Sequence, residues 1–362
     1  MSDANFDGEV LSMIVDMLPG GASKMEALQE YIKEADEAGD DHYSLLFRYQ
    51  YACEATFRDD PPKAIPVAAE FGPIFERNPN ALPDDGGVEA YLMITQMGID
   101  PIVFLPQIPM KQWEDMMKKF YVLVKRFNIG LRTYWWQMAQ FWRYIDKEKA
   151  FEYFQKFWKT GRDGLSDCRA CERSYAVMMS LMIGDRKAAD EYAKPLKAGR
   201  TAFCDDAPRL YMCAYLEDAL DRGDLKAATP YANQLSAKMK QNKNGLSHIG
   251  TVMRCFAYTN PDKAINKLEQ GLKWAIKMWD KKKVYDFYKG SWVVMHEFAK
   301  RQETVKLNLA EDFELYNNEG IYNCEKLEQW FYNNAKEIGQ SFDKRNGSDY
   351  FEKNLALGIV QG

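Results

Sequence analysis

Along residues 114–127, 134–158 and 265–279, apolar side chains recur three and four positions apart between charged ones. That spacing puts one buried stripe along an α-helix. The alternation with period two that marks a half-buried strand is scarce, so the pattern predicts an all-α fold. Short polar turns interrupt the helical stretches. The clearest surface loop is residues 78–87, NPNALPDDGG, with two prolines and two glycines, residue types that punctuate regular structure.

The turns repeat. A Lys-Ala pair recurs as Lys63-Ala64, Lys149-Ala150, Lys187-Ala188, Lys226-Ala227 and Lys263-Ala264, at intervals of 86, 38, 39 and 37 residues. Four residues before each alanine stands a turn or cap residue: Asp60, Asp146, Gly184, Gly223 and Asn260. Four residues after it stands an apolar one: Ala68, Phe154, Tyr192, Tyr231 and Leu268. The first position starts a helix, the alanine admits a close neighbour, and the third lies one turn further along the same face. Apolar segments 175–183, 211–220 and 249–258 precede these helices and supply a partner for each. The unit is then a helical hairpin of about 37–43 residues.

An alanine followed four residues later by an aromatic in the second helix resembles the tetratricopeptide repeat family, over about residues 40–300. Two features depart from it. Bulky residues such as Met138 and Tyr215 replace the small residue of the first helix, and the unit exceeds the family's length of about 34 residues. Pro195 and Pro230 also fall inside the second helices, where proline costs about 3 kcal/mol unless the helix adapts. The resemblance implies a superhelical stack of antiparallel helical hairpins. The expected organisation is an N-terminal helical cap at 1–40, hairpin repeats at 41–300, and a C-terminal helical cap and tail at 301–362.

Length and composition agree with a packed fold. With 362 residues, 46% apolar and 28% charged, the chain can bury roughly three quarters of its unfolded surface. Forty-eight basic against 53 acidic residues leave a net charge of −5, without the broad positive field that nucleic acid needs. Asp3, Asp7 and Glu9 precede the first basic residue, Lys24, the reverse of an export signal. The most apolar stretch, 90–110, is broken by Asp100-Pro101, Pro106 and Pro109, so no membrane span is expected. Seven cysteines, an odd number, suit a reducing compartment, and the expected location is the cytoplasm.

The sharpest candidate chemistry is Cys168-Arg-Ala-Cys171 with Cys204 further on. With Asp167 as N-cap, Cys168 and Cys171 would occupy one helical turn, where exposed N–H groups lower a thiol pKa. Cys204 precedes Asp205-Asp206-Ala207-Pro208, the start of the corresponding helix one unit later. If those helices lie side by side, three thiols converge. A structural zinc would use them but needs about four ligands, and Cys213 lies two turns into the next helix. A reversible disulfide, or plain free cysteines, fit the same residues. Cys53, Cys255 and Cys324 read as core.

Aromatic residues crowd 113–158. Adjacent rings such as Tyr134-Trp135-Trp136 are turned by about 100° and cannot all face one stripe. They suit packing by neighbouring helices, or a groove in which Tyr134 and Trp135 anchor a peptide or protein partner beside Arg132 and Arg143. Lys281-Lys282-Lys283 reads as a turn between helices. No phosphate-binding loop, zinc-protease helix or nucleophile elbow is present, and His296-Glu297 are sequence neighbours that do not face each other on a helix. The expected function is therefore non-catalytic binding of a protein or peptide on the concave face. A ligand-sensing regulator and a zinc-stabilised factor built on Cys168, Cys171 and Cys204 are the alternatives.

Overall fold

The computed structural model describes residues 6–58, 60–82, 85–200, 204, 206–239 and 243–360. It is all-α, 76% helix and 2% strand, with helices packed in neighbouring pairs. The chain forms two compact units, one of residues 1–137 with 156–166 and one of 138–155 with 167–362.

In the first unit, helices α1 (Gly8–Met17), α2 (Ala22–Ala38), α3 (Asp41–Arg58), α4 (Ala64–Arg77), α5 (Asp85–Ile99) and α6 (Met110–Phe127) each pack on the next. Asp7 caps α1 by accepting from Val10 N, and Gly39, at φ 68°, ends α2 in the left-handed conformation that glycine tolerates. On α6 the buried stripe Trp113, Met117, Phe120 and Val124 follows the predicted period. The helix begins at Met110, capped by Pro109, four residues before the apolar pattern becomes regular. Arg48, buried on α3, reaches Asp36 of α2 at 2.7 Å and Glu70 of α4 at 3.1 Å, so one guanidinium cross-links three helices. The loop expected at 78–87 is shorter than its composition suggests. Gly86 and Gly87 already belong to α5, while Pro83 and Asp84 lie outside the described residues.

Helices α7 (Leu131–Trp142) and α8 (Lys147–Lys159) divide the segment 134–158 that reads as one periodic stretch. The break is Asp146, whose carboxylate caps α8 by accepting from Lys149 N at 3.0 Å. The second unit continues with α9 (Arg169–Met182), α10 (Arg186–Lys197), α11 (Ala207–Asp221), α12 (Leu225–Lys238), α13 (Leu246–Thr259), α14 (Pro261–Ala275) and α15 (Lys281–Ala299). Strands β1 (Thr304–Lys306) and β2 (Ile321–Asn323) then pair antiparallel, Val305 opposite Tyr322, before α16 (Cys324–Asn346) and α17 (Tyr350–Ala356). Helices α9, α11, α13 and α15 contact one another in series, while α10, α12 and α14 each pack on the helix before them.

The recurring cap is present, with its phase moved by one residue in two places. Asp185, Asp224 and Asn260 accept hydrogen bonds from Ala188 N, Ala227 N and Lys263 N, as Asp146 does from Lys149 N. The alanine four residues after each cap is fully buried: Ala150, Ala189, Ala228 and Ala264. Ala188 and Ala227, the alanines of the Lys-Ala pairs, are only half-buried. The reason is that Gly184 and Gly223 adopt positive φ, 80° and 73°, to close the preceding turn, and the next residue does the capping. One turn further on, Phe154, Ala193, Ala232 and Leu268 complete the buried stripe, and Tyr192 and Tyr231 lie beside it half-buried. Pro230 is exposed and Pro195 half-buried, so both prolines sit off the packed faces of their helices.

The tightest packing joins α13 to α15. A Cβ at Gly250 would lie 2.1 Å from the backbone oxygen of Asp286, and one at Gly290 would lie 2.4 Å from the backbone oxygen of Gly250. Backbone meets backbone there, leaving no side chain that could give way. The segment after α17 is also tied down, since Arg254 of α13 donates to the carbonyls of Leu357 and Gly358, and Val360 N donates to Tyr258 Oη. Gly290→Ala is expected to destabilise the protein by about 1–3 kcal/mol, as overpacking does. A urea midpoint equal to that of the wild type would contradict the contact.

Candidate functional site

Two clusters in the second unit carry chemistry. In the first, the Sγ atoms of Cys168, Cys171 and Cys204 all lie within 4.8 Å of one another, with Cys171 and Cys204 3.0 Å apart. The N-cap of α9 is Cys168 itself, whose sulfur accepts from Cys171 N at 3.3 Å. The expected cap, Asp167, instead accepts from Tyr175 Oη. Asp205, expected at the start of α11, lies outside the described residues, and Asp206 is the residue at that helix's N-cap.

Cys171 and Cys204 are shifted in opposite directions. Burial, with the neighbouring Cys204 and Cys168 sulfurs, pushes Cys171 up. Burial also works against ionising Cys204, but hydrogen bonds from the Cys171 thiol and from the N–H groups of Ala207 and Asp206 outweigh it and hold Cys204 below the ordinary thiol value. Cys168 is exposed and the other two are half-buried. Cys213 lies apart from this trio. It is buried, with its sulfur 3.9 Å from both Thr251 Oγ1 and Glu217 Oε1.

The second cluster lies on the facing sides of α11, α13 and α15, against the turn after α7 and the start of α17. Lys282 of α15 binds Asp286 one turn on, at 2.6 Å, and its ammonium sits 5.6 Å from the centre of the Tyr144 ring. Thr251 Oγ1 of α13 donates to Glu217 Oε1 of α11 at 3.2 Å. Burial raises the Glu217 carboxyl, and nearby Asp286 and Asp221 add to that against the pull of Lys282 and Arg254. Burial acts against the charge of Lys282, yet Asp286 with Tyr144 and Tyr350 holds its ammonium protonated well above the usual range.

Arg143 completes this cluster. Its guanidinium lies 4.5 Å from the centre of the Tyr144 ring, donates to Tyr144 Oη, and reaches Met178 Sδ of α9 at 2.8 Å. Its Nε makes no hydrogen bond, and no carboxylate pairs with it among the described residues. A cation whose acceptors are a thioether and a phenol is under-satisfied.

The other three partner-binding candidates lie in the first unit. Arg132 is 5% exposed, donates to the carbonyls of Phe157 (2.9 Å) and Thr160, and stacks on the Phe157 ring at 4.3 Å. It closes the last turn of α8. Tyr134 and Trp135 are half-buried. Tyr134 packs against Tyr121 at 4.9 Å, and Lys156 lies 4.8 Å from the Trp135 ring centre. Lys281, Lys282 and Lys283 form the first turn of α15, capped by Asp280 through Lys283 N, rather than a turn between helices. His296 pairs with Glu328 of α16 at 2.8 Å, while Glu297 binds Lys300.

Sequence spacing found the thiols and Arg143 but missed Glu217, Thr251, Asp286 and Tyr350, which converge from different helices. No protein-family model matches the chain, and no curated protein matches it significantly.

Two outcomes test these assignments. Arg132→Ala is expected to cost about 1–3 kcal/mol in urea unfolding, because two carbonyls lose their donor; an unchanged midpoint would argue for a surface role. His248, buried at 9% exposure, has its pKa lowered to about 4 by burial and by Arg209 and Lys283. The unfolded chain therefore binds its proton first. The His248 contribution is full above about pH 6.5 and is lost as pH falls toward 4, about 3 kcal/mol in all. His248→Gln should flatten that part of the pH–stability curve, and identical slopes for the two proteins would refute it.

Proposed function

We propose that the protein is a non-catalytic scaffold that grips a peptide or protein segment on the concave side of its helical stack at α9 and α11, with Arg143 receiving an acidic group of the partner. The serial contact of these helices, each backed by a second helix with a buried alanine four residues past its cap, supports a tetratricopeptide-like superhelical stack in this unit. From His248 to Ala257 α13 is buried on every side, so the open part of this row lies on α9 and α11, where Glu217 keeps an exposed edge although Lys282, Asp286 and Arg254 crowd its carboxyl.

The observation that carries the reading is the under-satisfied Arg143. A guanidinium held against a tyrosine ring, with a buried Nε that makes no hydrogen bond and no carboxylate within ion-pair distance among the described residues, keeps a positive charge that a partner's carboxylate would neutralise. Tyr350, beside it, offers a phenol of the kind that dominates binding hot spots. Burial drives the Cys213 thiol of the same cluster well above its ordinary value, which disfavours the thiolate a nucleophile would need.

Selection of a random peptide library on the purified full chain should enrich sequences with a carboxylate at one fixed position. The selected peptides should bind Arg143→Ala at least about tenfold more weakly than the wild type by calorimetry, a hot-spot loss. Equal affinity for a variant that keeps the wild-type urea midpoint would remove this reading.

A further inference from the structure

We propose that Cys168, Cys171 and Cys204 form a binding site for one thiophilic d10 cation, zinc(II) or copper(I), that ties the start of α9 to the approach of α11. The site stands apart from the groove residues, and the inference does not rest on their role.

Three sulfurs from two chain segments 33 residues apart converge, all within 4.8 Å of one another. Thiolates at the corners of a metal tetrahedron with bonds of about 2.3 Å sit about 3.8 Å apart, so small rotations of side chains already in contact would reach that geometry. The backbone prepares the site for negative charge. Cys171 N points at the Cys168 sulfur, and the N–H groups of Ala207 and Asp206 point at Cys204, so the first turns of two helices face the thiolates. Exposed Cys168 leaves an access route from solvent.

The number of ligands defines the class of ion. Among the described residues no histidine, carboxylate or further thiol joins the three. Three thiolates satisfy copper(I), a soft ion, outright, and they hold zinc with one position left for water or an exchanging ligand. Such a site suits a labile ion better than a closed structural centre. As each sulfur–metal bond forms, the thiol gives its proton to solvent; no electron changes hands, so no oxidant is required. A Cys171–Cys204 disulfide would use two of the same sulfurs and exclude the ion.

The test uses the full chain purified without a histidine tag and kept reduced by a phosphine. One arm receives zinc sulfate, the other copper(I) from a competing chromogenic chelator, and both are desalted before native mass spectrometry. The wild type is expected to retain one ion per chain in at least one arm, and the arm that loads identifies the metal. Cys171→Ser and Cys204→Ser should lose it and Cys53→Ser should keep it, with far-UV circular dichroism confirming that each variant is folded. Cobalt(II) should add a near-ultraviolet sulfur-to-metal band to the wild type and to Cys53→Ser but not to Cys171→Ser or Cys204→Ser, independent of the desalting step. Retention in neither arm, retention undiminished in folded Cys171→Ser and Cys204→Ser, or a Cys171–Cys204 disulfide that persists under the phosphine would each overturn the site.

Discussion

The second unit is organised around the place where two helices touch without side chains. Gly250 of α13 and Gly290 of α15 bring their backbones together more closely than any Cβ would permit. Two helices so close hold their neighbouring residues in a fixed register. Lys282 and Asp286 stand two turns and one turn before Gly290, and Thr251 directly follows Gly250. Thr251 hydrogen-bonds Glu217 of the next helix over. The electrostatic cluster therefore follows from a packing decision made by two glycines, each of which weakens its own helix by about 1 kcal/mol relative to alanine.

That contact also explains why charges tolerate this crowding. Lys282 and Asp286 neutralise each other along one helix face, Arg254 meets Asp221, and Lys289, driven down by burial and by Arg254, donates to the Asn354 carbonyl and side chain. Each of these charged groups found a partner close to hand, as desolvation demands. Arg143 is less well served, its buried Nε making no hydrogen bond.

Helical class and the spacing of the hairpins were legible because they depend on short-range chemistry. An aspartate or asparagine that caps a helix and an alanine four residues later are visible in any window of the sequence. The phase error at Ala188 and Ala227 arose because Gly184 and Gly223 look like helix starts when they are the left-handed ends of the preceding turns. The convergence of Cys168, Cys171 and Cys204 could be read because Cys204 precedes the helix that corresponds, one hairpin later, to the one Cys168 begins. The burial of Arg132 could not, since its acceptors are carbonyls of another helix's last turn, which no residue type announces. Glu217, Asp286 and Tyr350 come together only through the packing of α11, α13, α15 and α17.

Arg254 has a further consequence for how the chain matures. Its two carbonyl acceptors lie 103 and 104 residues later in the sequence, so during translation its guanidinium waits on α13 until residues 357 and 358 have left the ribosome. The segment thus acts as a latch across α13, and cutting it would uncover the guanidinium it now holds.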